Sequence, residues 1–285
     1  MRALALMGLA FFIFSAVDTQ AKFLTGTLHP IQVTWARQFG LFVAVLYLLA
    51  RLGPSILKTQ NLPLQLVRGA LAGGSAVLFI TGVSFVPLAD AVAVTFVAPF
   101  MVTLLSALVL REPVGIRRWT AVFIGFIGTL IVIRPGMGVI HPAVFLVLAA
   151  AFFFALRQIL SRALGRTDRT ITTVAYTALT GTALLSLPLP FLWRTPTTWL
   201  EVALMVGIAV AAGLGEFLLI KALEIGQAAV VAPMQYSMLI WGTFYGWLVF
   251  GHLPDFWTLV GAAIIIATGL YTLQRERIAA RASRQ

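Results

Sequence analysis

Apolar residues in this chain do not alternate with polar ones. They run together for about 20 residues at a time, the helical length that crosses roughly 30 Å of hydrocarbon. Ten such runs lie near 3–24, 30–51, 65–85, 88–110, 117–134, 141–164, 170–192, 198–221, 226–250 and 255–274. Between them come RLGPS, VPLAD, REPVG, RPGMG, GRTDR, WRTPT and GHLPD, each carrying the glycine, proline or charge that ends a helix. Every run is predicted to be helical, because hydrocarbon offers an open backbone no hydrogen-bond partner.

The pattern also repeats. Ala-Phe-Phe opens at residue 10 and again at 151; at the same offset of 141, Val33 and Gly40 meet Val174 and Gly181, and Ala70, Gly74 and Leu78 meet Ala211, Gly215 and Leu219. Together the matches map five spans onto five, giving two repeats, 1–140 and 141–285. Five is odd, so the second copy enters the membrane from the opposite side. Inverted repeats of this kind are common in secondary transporters, with substrate held between the copies, and they also occur in channels.

Composition sharpens the class. Of 285 residues, 60% are hydrophobic and 10% charged, against about 25% charged in soluble proteins. The net charge of +11 does not point to nucleic acid, because the excess sits in alternate short loops. One set holds Arg2, Arg51, Lys58, Arg68, Arg111, Arg117, Arg118, Arg162, Arg166, Arg169, Lys221 and the basic C-terminal segment; the other holds only Lys22, Arg134 and Arg194. The positive-inside rule therefore puts both termini in the cytoplasm. Residues 1–24 lack a small-residue cleavage site and are read as a retained span. Cysteine is absent, which excludes thiol catalysis and Cys-ligated metals. No Walker A, HExxH or nucleophile-elbow motif suggests an enzyme. His29, His141 and His252 fall on the outer side and are read as interfacial rather than metal-binding, so no cofactor is expected.

HPIQVTWAR at 29–37, PLADAVAVTFVAPFMVTLLSALVLREP at 87–113 and GFIGTLIVIRPG at 125–136 resemble the EamA family of the drug/metabolite transporter superfamily. The resemblance implies an all-α basket of ten transmembrane helices in two inverted repeats, with a central cavity lined mainly by spans 1, 3, 4, 6, 8 and 9. It also implies a monomer in the bacterial inner membrane, in contact with lipid and exporting small metabolites by alternating access. Within the family the chain most resembles YddG-type exporters of aromatic amino acids. Nucleosides, sugars, drug-like molecules and a channel-like facilitator remain the alternatives. One departure stands out: Gly251-His252 replaces the usual Gly-Glu.

Ionisable residues within spans are costly, about 2.5–3.5 kcal/mol each on insertion scales, so they need partners or water. Counting along the helices places Asp18 and Arg37 at similar depth in the outer half, and Arg157 and Glu216 at similar depth in the inner half. Two ion pairs are expected, serving as structural clamps, as gates or as ligands for a substrate's carboxylate and ammonium. Pro99 and Pro233 fall inside equivalent spans, where each frees a carbonyl. Phe79, Phe96, Gln158, Gln235, Tyr236 and Trp241 are the substrate-binding candidates, suited to an amphipathic ligand with a flat side chain. Gly69/Gly73 and Gly242/Gly246 have the spacing of close helix contacts.

Overall fold

The computed structural model describes residues 2–109, 115–133, 141–165, 167–225 and 232–282, and regular structure among them is helical throughout. The chain opens with α1 (Arg2–Leu24), α2 (Pro30–Leu52) and α3 (Leu62–Val83), with a 3₁₀ turn at Pro54–Leu57 before α3. Next come α4 (Leu88–Thr95), α5 (Ala98–Val109), α6 (Ile116–Ile133), α7 (Val144–Leu164) and α8 (Thr170–Ser186). A single turn, α9 (Leu189–Leu192), leads to α10 (Trp199–Ile225). A second 3₁₀ turn at Ala232–Tyr236 enters α11 (Ser237–Phe250), and α12 (Phe256–Ala282) follows. The REPV segment at 111–114 and all of RPGMG at 134–138 lie outside the described residues.

Six helical stretches among the described residues are long and apolar enough to cross a membrane: α1, α2, α3, Leu88–Leu108, α7 and Trp199–Leu219. Shorter apolar helices cover Trp119–Ile133 and Phe256–Tyr271. Prolines set two of the starts. Pro30 and Pro63 stand in first turns, where a missing N–H leaves no helical bond unmade. Beside them His29 Nδ1 accepts the Ile31 N–H at 3.2 Å and Asn61 Oδ1 accepts the Leu64 N–H at 3.1 Å, capping α2 and α3.

The run predicted as one span at 88–110 is two helices. Phe96 and Val97 separate them, their N–H groups bonding only three residues back, to Ala93 and Val94, at 3.2 and 3.1 Å. Pro99 supplies the reason, since it has no N–H for the carbonyl of Thr95 and its ring crowds that turn. The run at 226–250 also contains a break: the 3₁₀ turn that includes Pro233 precedes α11. At its far end α11 stops on Gly251, left-handed at φ +69°, where the Gly251 and His252 N–H groups bond Trp247 and Gly246 carbonyls at 3.0 and 3.2 Å. The glycine of Gly251-His252 thus has a backbone task that needs no neighbouring carboxylate.

Helix α1 lies against α10 and α11, α3 against α7 and α8, α2 against α8 and α10, and α6 against α12. Helix α4 touches both α7 and α11. Small residues let the backbones close up. A Cβ added at Gly40 would stand 1.9 Å from the Ala209 carbonyl oxygen, so α2 and α10 meet where no side chain fits. Along α1 and α10, which run antiparallel, Met7 meets Ala222, Phe14 meets Gly215 and Gln20 meets Gly207. Along α3 and α7, Arg68 meets Ser161, Gly74 meets Phe153 and Gly82 meets Val147. Two buried apolar clusters fill the interior, one around Val17, Val33, Ile80 and Ile208 and one around Val83, Val92, Val147 and Leu239; Phe79 packs on both.

Loops are tied across each end. Asp168 accepts from the Thr59 hydroxyl, from the Gln60 N–H at 3.1 Å and from the Gln65 amide at 2.7 Å. The Thr59 bond leads in holding its carboxyl below the usual aspartate range. At the opposite end Glu201 accepts from the Thr27 hydroxyl and from the Thr197 N–H at 2.7 Å. Beside it Gln32 exchanges two bonds with the Arg194 backbone, at 2.8 and 2.9 Å.

Candidate functional site

Five charged side chains project from five helices, α1, α2, α3, α7 and α10. Asp18 on α1 and Arg37 on α2 are brought together, with 3.4 Å between Oδ1 and Nη1. The Asp18 side chain is 5% exposed and that of Arg37 23%. Burial of this kind makes each partner depend on the other, because a lone charge there has no water to turn to. Arg68 on α3 is held by hydroxyls of two other helices: Nε donates to Ser161 at 2.7 Å, and Nη1 donates to Thr177 and to the Thr173 carbonyl at 3.4 Å.

Arg157 and Glu216 are not brought into contact. Their charges act on each other, and Glu216 also feels Arg37 and Arg68, but among the described residues no direct bridge joins Glu216 to any of them. The reason lies in the packing. Helix α7 packs on α3 and α10 on α1, so equal depth does not make these two side chains neighbours. Arg157 Nε is buried with no hydrogen-bond partner among the described residues, and its guanidinium lies 4.7 Å from the centre of the Phe154 ring. That aromatic face supports the charge without saturating its donors.

Aromatic side chains form the other part of the site. Phe96, at the break after α4, stacks on Tyr236, at the end of the 3₁₀ turn before α11, with centroids 5.2 Å apart and planes 18° apart. Trp241 meets Phe12 edge-on at 5.0 Å, and Tyr245 lies 5.5 Å from the same ring. The Trp241 indole N–H is buried with no partner among the described residues. Phe79 belongs to the packing between the two apolar clusters. Gln158 and Gln235 are both exposed and join neither the aromatic pairs nor any side-chain hydrogen bond among the described residues, so the structure does not place them with the other candidates.

Two residues read from the sequence only as topology charges have definite work. Arg68 is inside α3, and the hydroxyls of Ser161 and Thr177, polar groups within apolar runs, were the signal for it. Lys22 Nζ donates to the carbonyls of Val83 and Val86 at 2.6 and 2.5 Å, holding the end of α3. An apolar groove between α3 and α8, lined by Leu66, Ala70, Tyr176 and Leu184, contains none of these charges.

Apolar membrane-crossing helices that enclose a small set of charges define a multi-pass membrane protein with polar chemistry held between its helices. The chain belongs to the EamA-like transporter family, whose sequence profile matches residues 1–134 and again 141–273, and it is a transporter, not an enzyme. It is 28% identical over 278 residues to the S-adenosylmethionine uptake transporter of Rickettsia prowazekii, covering 95% of this chain and 94% of that protein. It is 33% identical over 283 residues to the riboflavin transporter of Vibrio cholerae, covering 97% and 93%. A third relative, the pseudopaline exporter CntI of Pseudomonas aeruginosa, is 29% identical over 262 residues, covering 90% and 91%. One solved crystal structure superposes with a TM-score of 0.66 at 18% identity, over 97% of this chain and 98% of the other, a likeness of fold. The relatives' names give three kinds of cargo, so they support carriage of a small metabolite without supporting the narrower YddG-type resemblance.

Proposed function

We propose that the chain carries a small amphipathic metabolite with a flat ring out across the bacterial inner membrane, by alternating access between two inverted five-helix repeats, 1–140 and 141–285. The observation that carries this reading is a repetition of contacts. Shifting the α3–α7 pairs Arg68–Ser161, Gly74–Phe153 and Gly82–Val147 by 141 residues lands within two residues of the α1–α10 pairs Gln20–Gly207, Phe14–Gly215 and Met7–Ala222. The loop ties obey the same offset: Thr27–Glu201 corresponds to Asp168–Gln60 with the acid on the other partner. Two halves with interchangeable contacts can swap environments, which is what alternating access requires.

The cargo follows from the aromatic groups. Phe96, Tyr236 and Trp241 flank the breaks in the two interrupted spans, and an unmatched indole N–H offers a donor beside an aromatic surface. Aromatic and hydrophobic amino acids are the simplest molecules of this kind. The relatives named for S-adenosylmethionine and riboflavin support the wider class of ring-bearing metabolites. Purified protein in proteoliposomes should show saturable, trans-stimulated counterflow of at least one of phenylalanine, tryptophan, S-adenosylmethionine or riboflavin. Flux that rises linearly with concentration and ignores substrate on the far side would mean a channel instead.

A further inference from the structure

We infer that Arg157 and Glu216 are the two poles of a head-group site for an α-amino carboxylate, the carboxylate on Arg157 and the ammonium on Glu216. The inference rests on the transport reading above and names the polar end of its cargo. Five charges occupy this part of the bundle, and three are already committed. Asp18 and Arg37 pair at 3.4 Å. Arg68 is tied to Ser161, Thr173 and Thr177. Arg157 and Glu216 are left, each acting on the other's charge, with no bond between them and none to a third side chain among the described residues.

The chemistry of the gap selects its occupant. Arg157 keeps a buried Nε–H with no acceptor among the described residues, and its ring support from Phe154 leaves the guanidinium edge to meet a planar two-oxygen group. A carboxylate fits that edge. A bare carboxylate would still face Glu216 as a like charge and leave it without a donor. A bare amine would leave Arg157 unmatched and face three arginines. A head that carries both groups satisfies both poles, and it adds no net charge to a low-dielectric site where an unmatched charge is costly. Neither residue is fully enclosed: both are partly exposed. The sequence repeat supports a ligand role over a structural one. The positions 141 residues before Arg157 and Glu216 are Ala16 and Ser75, so the first repeat carries neither charge.

The test uses the full chain in proteoliposomes, with counterflow of labelled L-phenylalanine, S-adenosylmethionine and riboflavin. On the unaltered protein, phenylalanine and S-adenosylmethionine should compete with each other. N-acetyl-phenylalanine and phenylalanine methyl ester, each with one pole capped, should compete at least tenfold more weakly. Arg157→Gln should raise the half-saturating concentration of phenylalanine by about tenfold to a hundredfold, the range for losing one charged hydrogen bond, with unchanged yield. Glu216→Gln should do the same for phenylalanine while leaving inhibition by 3-phenylpropionate, which has no ammonium, unimpaired. If riboflavin alone is carried, or the capped compounds compete as well as phenylalanine, the head-group assignment is wrong and the transport reading stands. If neither these three nor tryptophan is carried by folded protein, both fall. The capped compounds decide the matter on unaltered protein even if the variants do not fold.

Discussion

At the residue scale, the Asp18–Arg37 bridge is the interaction whose loss is easiest to read. Removing one partner of a fully buried pair costs about 3–5 kcal/mol, and the partial exposure of Arg37 puts this pair at or below the lower end. Arg37→Ala should therefore lower the melting temperature of detergent-solubilised protein markedly, and Asp18→Asn should lower it less, because an amide can still accept from the guanidinium. The exchanged pair, Asp18→Arg with Arg37→Asp, should recover part of the loss. A double variant no more stable than Arg37→Ala would show that the bridge has no energetic standing. This bridge was legible from the sequence because adjacent antiparallel helices put equal depths side by side. Arg157 and Glu216 were read by the same rule, and there the rule does not suffice. Depth is one coordinate, and the rotation and packing partners of a helix supply the others. Arg68 was hidden for a related reason: a charge near the start of a run looks like a loop residue until the hydroxyls facing it are known.

At the element scale, the breaks and crossings show what a hydropathy pattern can carry. Span length was visible because apolar length is additive along the chain. The break at Phe96–Val97 was visible through Pro99, since the effect of proline is local. The meeting of α2 and α10 was not visible, because Gly40 acquires its meaning only from the Ala209 carbonyl, far along the chain. That meeting sets a sharp expectation. Gly40→Val should abolish folded yield, measured as the monodisperse fraction after purification, since the nearest atoms are backbone and cannot give way. Gly8→Ala is the control: its nearest neighbour would be the Met234 sulfur at 3.9 Å, and the yield should not change. Equal yields from the two variants would mean that α2 and α10 do not meet as described.

At the scale of the whole molecule, inverted topology makes the sharpest claim. The chain has no cysteine, so a single introduced thiol reports its own side without background. In cells, a cysteine at Thr197 should react with an impermeant maleimide from outside, and one at Thr167 should react only after permeabilisation. The reverse pattern would turn the whole assignment over. The expectation of two paired halves rests on the offset of 141 in Gly40/Gly181 and Gly74/Gly215, where an added Cβ would stand 1.9 to 3.0 Å from its nearest neighbour. Where side chains have room, the copies have diverged, and sequence comparison says nothing of their spatial equivalence.

Under the proposed pseudo-twofold relation between the halves, the charges are unevenly placed. Asp18 and Arg37 belong to the first copy, and their counterparts are Ile159 and Ala178; Arg157 and Glu216 belong to the second, and their counterparts are Ala16 and Ser75. A homodimer of first halves would carry two closed bridges and no open gap. A homodimer of second halves would carry two open gaps and no bridge. On the proposed inverted-repeat reading, a chain with one half of each kind has one closed bridge and one site for a solute's polar head. The expected stoichiometry is then one solute per polypeptide per cycle, from a scaffold in which several helix contacts recur at the repeat offset.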